Sequence, residues 1–365
     1  MPFDGGSVSF MMCKLPEPMP EDALTKFSDK KAMPLSNVGD EPDLGWVSGR
    51  HLLETRIDEE TSICGGYLTL SLRVAQRKIP SSLFKAECKI EELALQAATN
   101  SFFVSRKAKK EIQEAVTEKL LETMPPNLSG IPFVVDERSQ ILYLGCSSAA
   151  QYDRFALFFH ETMGFEPIAL NAYEAAMALT GEDPRDLPGL HFSPERASFD
   201  QELTLGRDFC TWLWYFQEMQ GGQFRVVDRG DFAIQIDGPL SFASEGDGAM
   251  ESVVRKGAPT LSAEAKAALL VGKKLRQAKF NMVRDKEIWS FGFDADTFVF
   301  RSMKLPQGEE LDPQSHFQER VMSLTIFREA FFALYELFLD NLRDTKRWEA
   351  LQPAIYEWVN ELEGK

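Results

Sequence analysis

Residues 131–145 have the sequence IPFVVDERSQILYLG, in which two apolar runs flank the polar quartet Glu137 to Gln140. Apolar, strand-forming runs on both sides of a short polar turn predict a β-hairpin with strands over 131–136 and 141–145. A helix (149–163), a strand (166–170) and a second helix (172–179) are predicted directly after it. This mixture of an antiparallel hairpin with helices favours an α+β fold over a parallel-sheet α/β enzyme.

The same mixture extends in both directions from this hairpin. Tyr67–Gln76 alternates apolar and polar residues, which predicts a half-buried strand. Residues 83–121 are mostly good helix formers with a break near Thr99–Ser101, and they predict a helical arm of two helices. Further strands are predicted over 7–15, 223–227, 232–236, 275–283, 288–293 and 297–303, and further helices over 21–28, 201–219, 261–271, 312–342 and 345–362.

With 365 residues, the chain is longer than one ordinary domain. We predict an N-terminal α+β unit over 1–180, which includes the helical arm over 80–123. Prolines and glycines then mark residues 181–200 as a linker or inserted loop. A C-terminal α+β unit is predicted over 201–343, and residues 344–365 are predicted to form a helical extension.

Composition is that of a globular cytosolic protein. Hydrophobic residues make up 44% and charged residues 26% of the chain. The five cysteines form no Cys-x-x-Cys pair, which argues against a zinc ribbon and favours free thiols in a reducing compartment. The N-terminus lacks a signal-peptide pattern, and four charges interrupt the apolar stretch 326–342. We therefore expect a cytoplasmic location.

Positive charge is concentrated in two segments of an acidic chain. The net charge is −16, but residues 73–110 carry nine basic and three acidic residues, and residues 255–286 carry nine basic and two acidic ones. These segments together hold +13, which leaves −29 on the remainder. Such segregation favours a polyanionic partner, because the acidic remainder would repel that partner everywhere except at the basic surface.

Two clusters within these segments are the candidate contacts with a polyphosphate partner. Arg106 and its neighbours fall within five positions of one predicted helix, so their mutual repulsion would be relieved by an anion. The second cluster surrounds the predicted end of a helix near Lys274, where cations also complement the helix dipole. A solvated face or an acidic protein partner would account for either cluster as well. The candidates are Arg106, Lys107, Lys109, Lys110, Arg255, Lys256, Lys273, Lys274, Arg276 and Lys279.

No catalytic motif survives inspection. Gly272-Lys273-Lys274 lacks the upstream glycine and the following Ser or Thr of a P-loop. Glu87-x-Lys89 is predicted on a helix surface, and Asp294-x-Asp296 is predicted in a turn, although paired carboxylates could in principle hold a metal.

The histidines and cysteines suggest no reactive site either. The four histidines have no metal-ligand spacing, and Cys146 lacks a recognisable base, so Ser147 or Ser148 is better interpreted as a helix cap. We accordingly predict no catalytic residue, no metal site and no cofactor.

Several short motifs occur in an order that resembles the bacterial recombination-associated RdgC family. Each motif is weak alone, and their colinear order from about Ser7 to Leu342 carries the resemblance. The motifs are Gly45-Trp46-Val47, Lys78-Ile79-Pro80, Arg106 to Lys110, Leu120-Leu121, Leu144 to Ala149, Leu261 to Glu264 and Gly272-Lys273.

This resemblance implies a function in DNA binding. Members of the RdgC family are cytoplasmic, nucleoid-associated proteins that form ring-shaped homodimers. They bind double-stranded DNA with little sequence preference and restrain the RecA recombinase. The resemblance thus implies that the basic clusters line the hole of an acidic ring. The main alternative is a metal-dependent DNA exonuclease, an activity with which the family has been associated, and it requires a carboxylate cluster that the sequence does not display.

Overall fold

The computed structural model describes residues 3–193, 204–244, 251–309 and 312–360. The helices are α1 (Ala23–Asp29), α2 (Glu59–Ser62), α3 (Ser81–Thr99), α4 (Arg106–Thr123), α5 (Ala149–Met163), α6 (Ala172–Thr180), α7 (Leu205–Gln220), α8 (Ala263–Leu270), α9 (Pro313–Arg343) and α10 (Thr345–Asn360). The strands are β1 (Val8–Lys14), β2 (Asp43–Ser48), β3 (Ile63–Cys64), β4 (Tyr67–Arg77), β5 (Pro126–Asp136), β6 (Ile141–Leu144), β7 (Ile168–Ala169), β8 (Gln223–Val226), β9 (Gly230–Ala243), β10 (Ser252–Val254), β11 (Lys274–Arg284), β12 (Glu287–Asp294) and β13 (Val299–Lys304). The predicted α+β class is confirmed.

The chain divides into two compact units, neither of which is continuous in sequence. Unit 1 combines Met1–Met19, Ile63–Leu68 and Pro132–Lys365, and unit 2 combines Pro20–Ser62 and Thr69–Ile131. These boundaries differ from the sequential division predicted at residues 180 and 200. The difference arises because β1 pairs with β13, so the first strand belongs to the same sheet as one of the last.

Unit 1 is built on an antiparallel sheet in the order β10-β9-β11-β12-β13-β1-β6-β5. The hairpin predicted over residues 131–145 is confirmed as β5 and β6, with Asp136 opposite Ile141 across the turn. A ladder without register shifts joins β11 to β12 and runs from Gln277 opposite Asp294 to Arg284 opposite Glu287. Buried and more exposed residues alternate along much of β9, β11 and β12, so this part of the sheet has one apolar and one polar face, whereas every residue of β6 is buried.

Helices α7 and α9 cover the apolar face. Phe331 of α9 lies 4.9 Å from Phe300 and 5.3 Å from Phe293, measured between ring centroids. Phe209 of α7 lies 4.8 Å from Tyr335 of α9. Aromatic edge-to-face pairs at these distances add to the free energy of apolar burial. This aromatic core holds the sheet rigid beneath its polar face.

The described parts of two segments predicted as peripheral, residues 181–193 and 344–360, belong to unit 1, and residues 194–200 and 361–365 of these predictions lie outside the described residues. Leu190 and Phe192, in the stretch interpreted as a linker or inserted loop, are buried in its core. Trp358 of the predicted C-terminal extension is also buried, and its ring packs 5.2 Å from that of Trp214. The local richness in proline, glycine and charge therefore does not report burial, which depends on contacts distant in sequence.

Unit 2 contains a two-stranded ladder and a helical hairpin. Strand β2 pairs antiparallel with β4, from Asp43 opposite Ala75 to Ser48 opposite Leu70. The helical arm predicted over 80–123 is present as α3 and α4, which meet through a small core of Cys88, Val116 and Leu120. Asn100 ends α3 in the left-handed conformation, so the predicted break in the arm is confirmed.

Strand β4 is more deeply buried than its sequence pattern predicted. We predicted a half-buried strand, yet eight consecutive residues from Leu68 to Ala75 are buried. Arg73, which counts toward the first basic segment, is only 1% exposed, and its guanidinium lies 3.7 Å from Asp43 and donates to the carbonyl of Met33.

Among the described residues, no helix combines the length and hydropathy needed to cross a membrane.

Candidate nucleic-acid interface

The polar face of the unit 1 sheet follows from strand alternation. On β11, Ala278, Phe280 and Met282 are buried in the apolar core, whereas Lys279 between them is exposed. The same alternation on β12 leaves Ser290 and Gly292 half-buried on the polar side. Small residues at the centre and long cations at the margin thus produce a concave surface.

This surface is a groove of about 500 Å³, which we call the sheet groove. Four basic side chains and one acidic side chain, Glu251, belong to its lining. The basic ones come from the end of β10, from β11 and from β13. They are Arg255, Lys279, Arg301 and Lys304.

Acidic neighbours partly neutralise some of these cations. The Lys279 ammonium lies 3.4 Å from Oδ2 of Asp237, and the Arg301 guanidinium lies 3.1 Å from Oδ2 of Asp294. The predicted contact Arg276 is more committed, because its guanidinium pairs with Glu251 and also lies 3.0 Å from Asp296. An incoming phosphate would have to compete with these carboxylates at each of the three positions.

Arg255, Lys256 and Lys304 are the cations most available to a ligand. All three are exposed, and none forms an ion pair with any residue that the structure describes. Lys256 and Gly257 both have positive φ values, of 71° and 74°, so the chain turns sharply after Arg255. The two adjacent cations therefore sit on a turn beside the groove, where phosphate oxygens can reach them.

Lys273 and Lys274 do not behave as the sequence predicted. We expected both to end a helix, but α8 ends at Leu270 and Lys274 begins β11. Lys273 is half-buried, and its ammonium donates to the hydroxyl of Ser252.

Lys274 is removed from the candidate DNA contacts. It is only 3% exposed, and its ammonium lies 2.6 Å from the buried carboxylate of Asp208 and 3.0 Å from the hydroxyl of Thr204. An ammonium held this deeply is shielded from solvent and balanced by a carboxylate, so it offers nothing to an external phosphate.

The other cluster lies on the first two turns of α4. Arg106, Lys107, Lys109 and Lys110 are all exposed, with no acidic residue in the first turn of the helix. Ser105 caps the helix by accepting a hydrogen bond from the backbone N–H of Ala108. Cations at a helix N-terminus oppose the helix dipole, so this arrangement costs stability unless an anion is bound nearby.

The ion pairs of these lysines are loose. Lys107 lies 3.8 Å from Glu111, Lys110 lies 3.5 Å from Glu114, and Lys109 lies 3.8 Å from Glu92 of α3. The side chains of Lys107 and Lys110 are 89% and 78% exposed, so solvent screens both pairs strongly. Such contacts can be exchanged for phosphate at little cost.

Arg77 of unit 2 is a cation whose hydrogen bonds stabilise the fold, in contrast to the exposed cations of α4. Its guanidinium donates to the carbonyls of Val38, at 2.8 Å, and of Met124, just beyond α4. It therefore ties the end of the hairpin to a neighbouring loop. Within the first basic segment, Arg73 and Arg77 thus have structural partners, whereas the cluster on α4 is exposed.

The residues considered for catalysis have structural partners. Glu87 lies 3.2 Å from Lys119 across the α3–α4 hairpin and Lys89 lies 3.7 Å from Glu92, so both residues lie on α3 as predicted, but each pairs with a residue other than the one expected. Asp294 and Asp296 are occupied by arginines, because Arg301 contacts the former and Arg207 lies 2.6 Å from the latter. Within the described residues, no group of three or more His, Cys, Asp or Glu side chains is placed to hold a metal ion.

Cys146 is buried beside the start of α5, and burial raises the pKa of its thiol to about 12. A thiol with so high a pKa supplies almost no thiolate at neutral pH, so it is a poor nucleophile. Ser148 accepts a hydrogen bond from the N–H of Gln151 and caps the helix, as one of the two predicted serines was expected to do.

Sequence inspection missed Arg301 and Lys304, because they lie outside the two basic segments. Both belong to β13, where Phe300 and Met303 point into the core and the cations point out. The sequence did indicate that these two cations are exposed, because basic residues alternate with apolar ones in a predicted strand. What the sequence did not supply was the pairing that brings β13 beside β12 and into the groove.

Part of the chain matches a known protein family. Residues 10–180 match the RdgC family model, which is described as "Putative exonuclease, RdgC". The matched stretch contains all of unit 2, including the cluster on α4, whereas the sheet groove lies beyond it. No curated protein matches the chain significantly.

Proposed function

We propose that this chain, which belongs to the RdgC family through its residues 10–180, binds double-stranded DNA without sequence preference. The observation that carries the proposal is the set of exposed cations on two rigid supports in an otherwise acidic chain. One set surrounds the sheet groove of unit 1, and the other begins α4 of unit 2. The chain's net charge of −16 excludes general basicity as the origin of these surfaces.

The available side chains favour phosphate contacts over base recognition. The ammonium group of lysine and the guanidinium group of arginine bind the phosphates of the DNA backbone. These contacts position the protein on the duplex, and the backbone carries no sequence information. The predicted contacts that remain are Arg106, Lys107, Lys109, Lys110, Arg255, Lys256, Lys273, Arg276 and Lys279, to which we add Arg301 and Lys304.

The rest of the family's properties enter as parts of the same proposal. We propose a non-enzymatic, nucleoid-associated homodimer that encircles DNA as a ring and restrains RecA-dependent recombination by occupying duplex DNA. A closed ring would let an acidic protein hold DNA, because topology limits dissociation while cations contact the phosphates. Family membership supports this part, and competition for duplex sites follows from binding without sequence preference.

The test is fluorescence anisotropy with random-sequence duplex DNA over a series of salt concentrations. Replacing Arg255, Lys256 and Lys304 with alanine should weaken binding to all sequences alike. The slope of log affinity against log salt should become less steep by about 0.9 for each phosphate that the variant no longer neutralises. The same experiment with Lys107, Lys109 and Lys110 replaced examines the α4 cluster independently.

A matched control removes the same charge elsewhere in unit 1. Arg185, Lys346 and Arg347 are exposed cations that lie outside the sheet groove, so their joint replacement should leave the salt slope unchanged. Equal reductions of affinity in the control and the groove variant would show that only total charge matters. Unchanged affinity in both folded test variants would contradict the assignment of the two surfaces.

The alternative function is a metal-dependent DNA exonuclease. The description of the family supports it, because that description names an exonuclease. A metal-dependent nuclease needs clustered carboxylates to hold its ion, and Asp294 and Asp296 near the groove contact arginines instead. Including Mg²⁺ in the binding experiment distinguishes the two functions. Shortening of end-labelled duplex that persists in a highly purified sample would favour the nuclease, and recovery of intact DNA supports the binding protein.

A further inference from the structure

Two phenylalanine side chains stand fully in solvent at the tip of the α3–α4 hairpin. Phe102 is 102% exposed and Phe103 is 82% exposed, so neither ring has a neighbour that shields it. Single exposed apolar residues are common on protein surfaces, but two adjacent aromatic rings left in water forgo a large part of their burial free energy. The pair therefore calls for a ligand that covers it.

The backbone of the tip is held in place, so the outward position of the rings is a feature of the fold. Ser101 donates its backbone N–H to the carbonyl of Gln96 at 3.2 Å, and the Gln96 side chain donates to the carbonyl of Phe102 at 3.0 Å. The hydroxyl of Ser101 accepts from the N–H of Phe103 at 3.2 Å. These bonds fix the loop between the helices and present both rings beyond its end.

Cations follow the rings directly along the chain. Arg106 and Lys107 begin α4, and Lys109 and Lys110 come within its next turn, all of them exposed. The first acid after the tip is Glu111, five residues beyond Arg106. The tip thus combines two aromatic faces with four positive charges.

We propose that this tip binds unpaired bases of nucleic acid, with Phe102 and Phe103 stacking on the bases and the α4 cations contacting the adjoining phosphates. Aromatic side chains beside a basic surface are the combination that proteins use for single-stranded nucleic acid, because every base has a π-face to stack upon. The inference rests on the proposed DNA binding and deepens it by naming a place where bases, in addition to phosphates, are contacted.

A protein partner fits the tip less well than nucleic acid does. Such a partner would need an apolar pocket for two rings and, beside it, acidic groups for four cations. A strand with unstacked bases supplies both at a spacing set by its own backbone, since each base is attached to a phosphate. Charge complementarity therefore selects the nucleic acid.

The test compares the F102A/F103A variant with the unaltered chain on two probes, a fully paired duplex and the same duplex with a four-base unpaired bubble that carries 2-aminopurine. Anisotropy gives affinity, and 2-aminopurine fluorescence reports stacking. The variant should bind the bubble about tenfold to a hundredfold more weakly and show no fluorescence change. Its affinity for the paired duplex should stay within about twofold, because the phosphate contacts remain.

Two further variants separate stacking from apolar contact. F102W/F103W keeps an aromatic face and should retain bubble binding, whereas F102L/F103L keeps apolar area without such a face and should bind the bubble as weakly as the alanine variant. L157A is the matched control, because Leu157 is an exposed apolar residue of unit 1 that is 62% exposed. All substituted side chains are exposed, so urea unfolding should show unchanged stability.

The failures of the two proposals look different. If the unaltered chain binds no DNA, the proposed function fails and this inference fails with it. If the chain binds duplex DNA but F102A/F103A binds the bubble equally well, with the same fluorescence change, the inference alone is overturned. If the leucine variant behaves like the unaltered chain while alanine lowers the mass in sedimentation equilibrium, the tip contacts a second copy of the chain, and the inference is overturned.

Discussion

Whether a lysine or arginine can reach a ligand depends on what surrounds its charged group. Lys304 and Lys274 lie at the ends of strands of the same sheet, yet the first is exposed and the second is paired with buried Asp208. Moving two charges out of water is costly, and their attraction offsets that cost only while both are present. Replacing each lysine in turn therefore measures how differently the two charges contribute to the free energy of unfolding.

Lys274→Met should lower the free energy of unfolding by about 3–5 kcal/mol, because it leaves the Asp208 carboxylate charged and buried. Lys304→Met, which removes an exposed cation from the same sheet, should change it by no more than about 0.5 kcal/mol. Urea unfolding followed by tryptophan fluorescence measures both. Equal, small effects would contradict the buried ion pair.

Alkaline pH should destabilise unit 1 through groups buried in their neutral forms. Burial raises the pKa of Tyr143 to about 12 and that of the Cys146 thiol to about 12, from ordinary values near 10 and 9. The unfolded chain therefore ionises first as pH rises. The contribution of these groups to stability is complete below about pH 9 and is lost progressively toward pH 12.

The measurement is the urea midpoint at several values between pH 8 and pH 11. We expect it to fall with rising pH, and the fall should be shallower in Tyr143→Phe, which lacks one titrating group. A midpoint that stays constant up to pH 11, or a Tyr143→Phe curve as steep as that of the unaltered chain, would contradict this explanation.

At the scale of elements, α7 shows how packing overrides local preference. Residues Leu205 to Phe216 of this helix are almost all buried, and Gly206 lies in its first turn against the carbonyl of Ala295. Glycine is a poor helix former, and alanine would favour the helix by about 1 kcal/mol. Glycine at this position allows the close approach between α7 and the turn that follows β12.

Gly206→Ala should consequently destabilise the protein, although helix propensity alone predicts stabilisation. The added Cβ would overlap the Ala295 carbonyl oxygen and lie 3.3 Å from the ring of Phe298. Overpacking of a core typically costs about 1–3 kcal/mol, which exceeds the gain in propensity. Thermal unfolding measures the net effect, with Gly5→Ala as the control because nothing lies within 4 Å of its added Cβ. A higher melting temperature for Gly206→Ala would refute the close contact.

At the scale of the whole molecule, the proposed DNA binding depends on how many exposed cations act together. Each unit supplies a modest number of exposed cations, and long-range attraction to DNA grows with the number of phosphates neutralised together. Two copies would double that number. Under the proposed function, the homodimer would be the step that brings enough cations together to hold DNA.

We predict a mass twice the 41.2 kDa of one chain in sedimentation equilibrium at micromolar concentration. Binding to a closed circular plasmid should outlast binding to a linear fragment of the same length after a rise in salt, because a ring leaves a linear fragment by sliding off its ends. Linear fragments with both ends blocked by a bulky protein provide the control. A monomeric mass would remove the ring from the proposal.

Local pattern determined much of the secondary structure. Helix α5 begins and ends at the residues predicted for it, and the 131–145 hairpin forms across its predicted turn, because turn chemistry and helix caps act over a few residues. The charge clusters and the broad α+β class were also visible in the sequence. The arm divides at Asn100, as the break in its helical pattern indicated.

Tertiary structure alone decided which residues are available to a ligand. The pairing of β1 with β13 joins distant parts of the chain in one sheet, and no local preference encodes it. The same sheet places Arg301 and Lys304 in the groove and buries Lys274 against Asp208. Burial and ion pairing are sums over neighbours far apart in sequence, so the sequence determined where the charges are in the chain and the fold decided which of them face solvent.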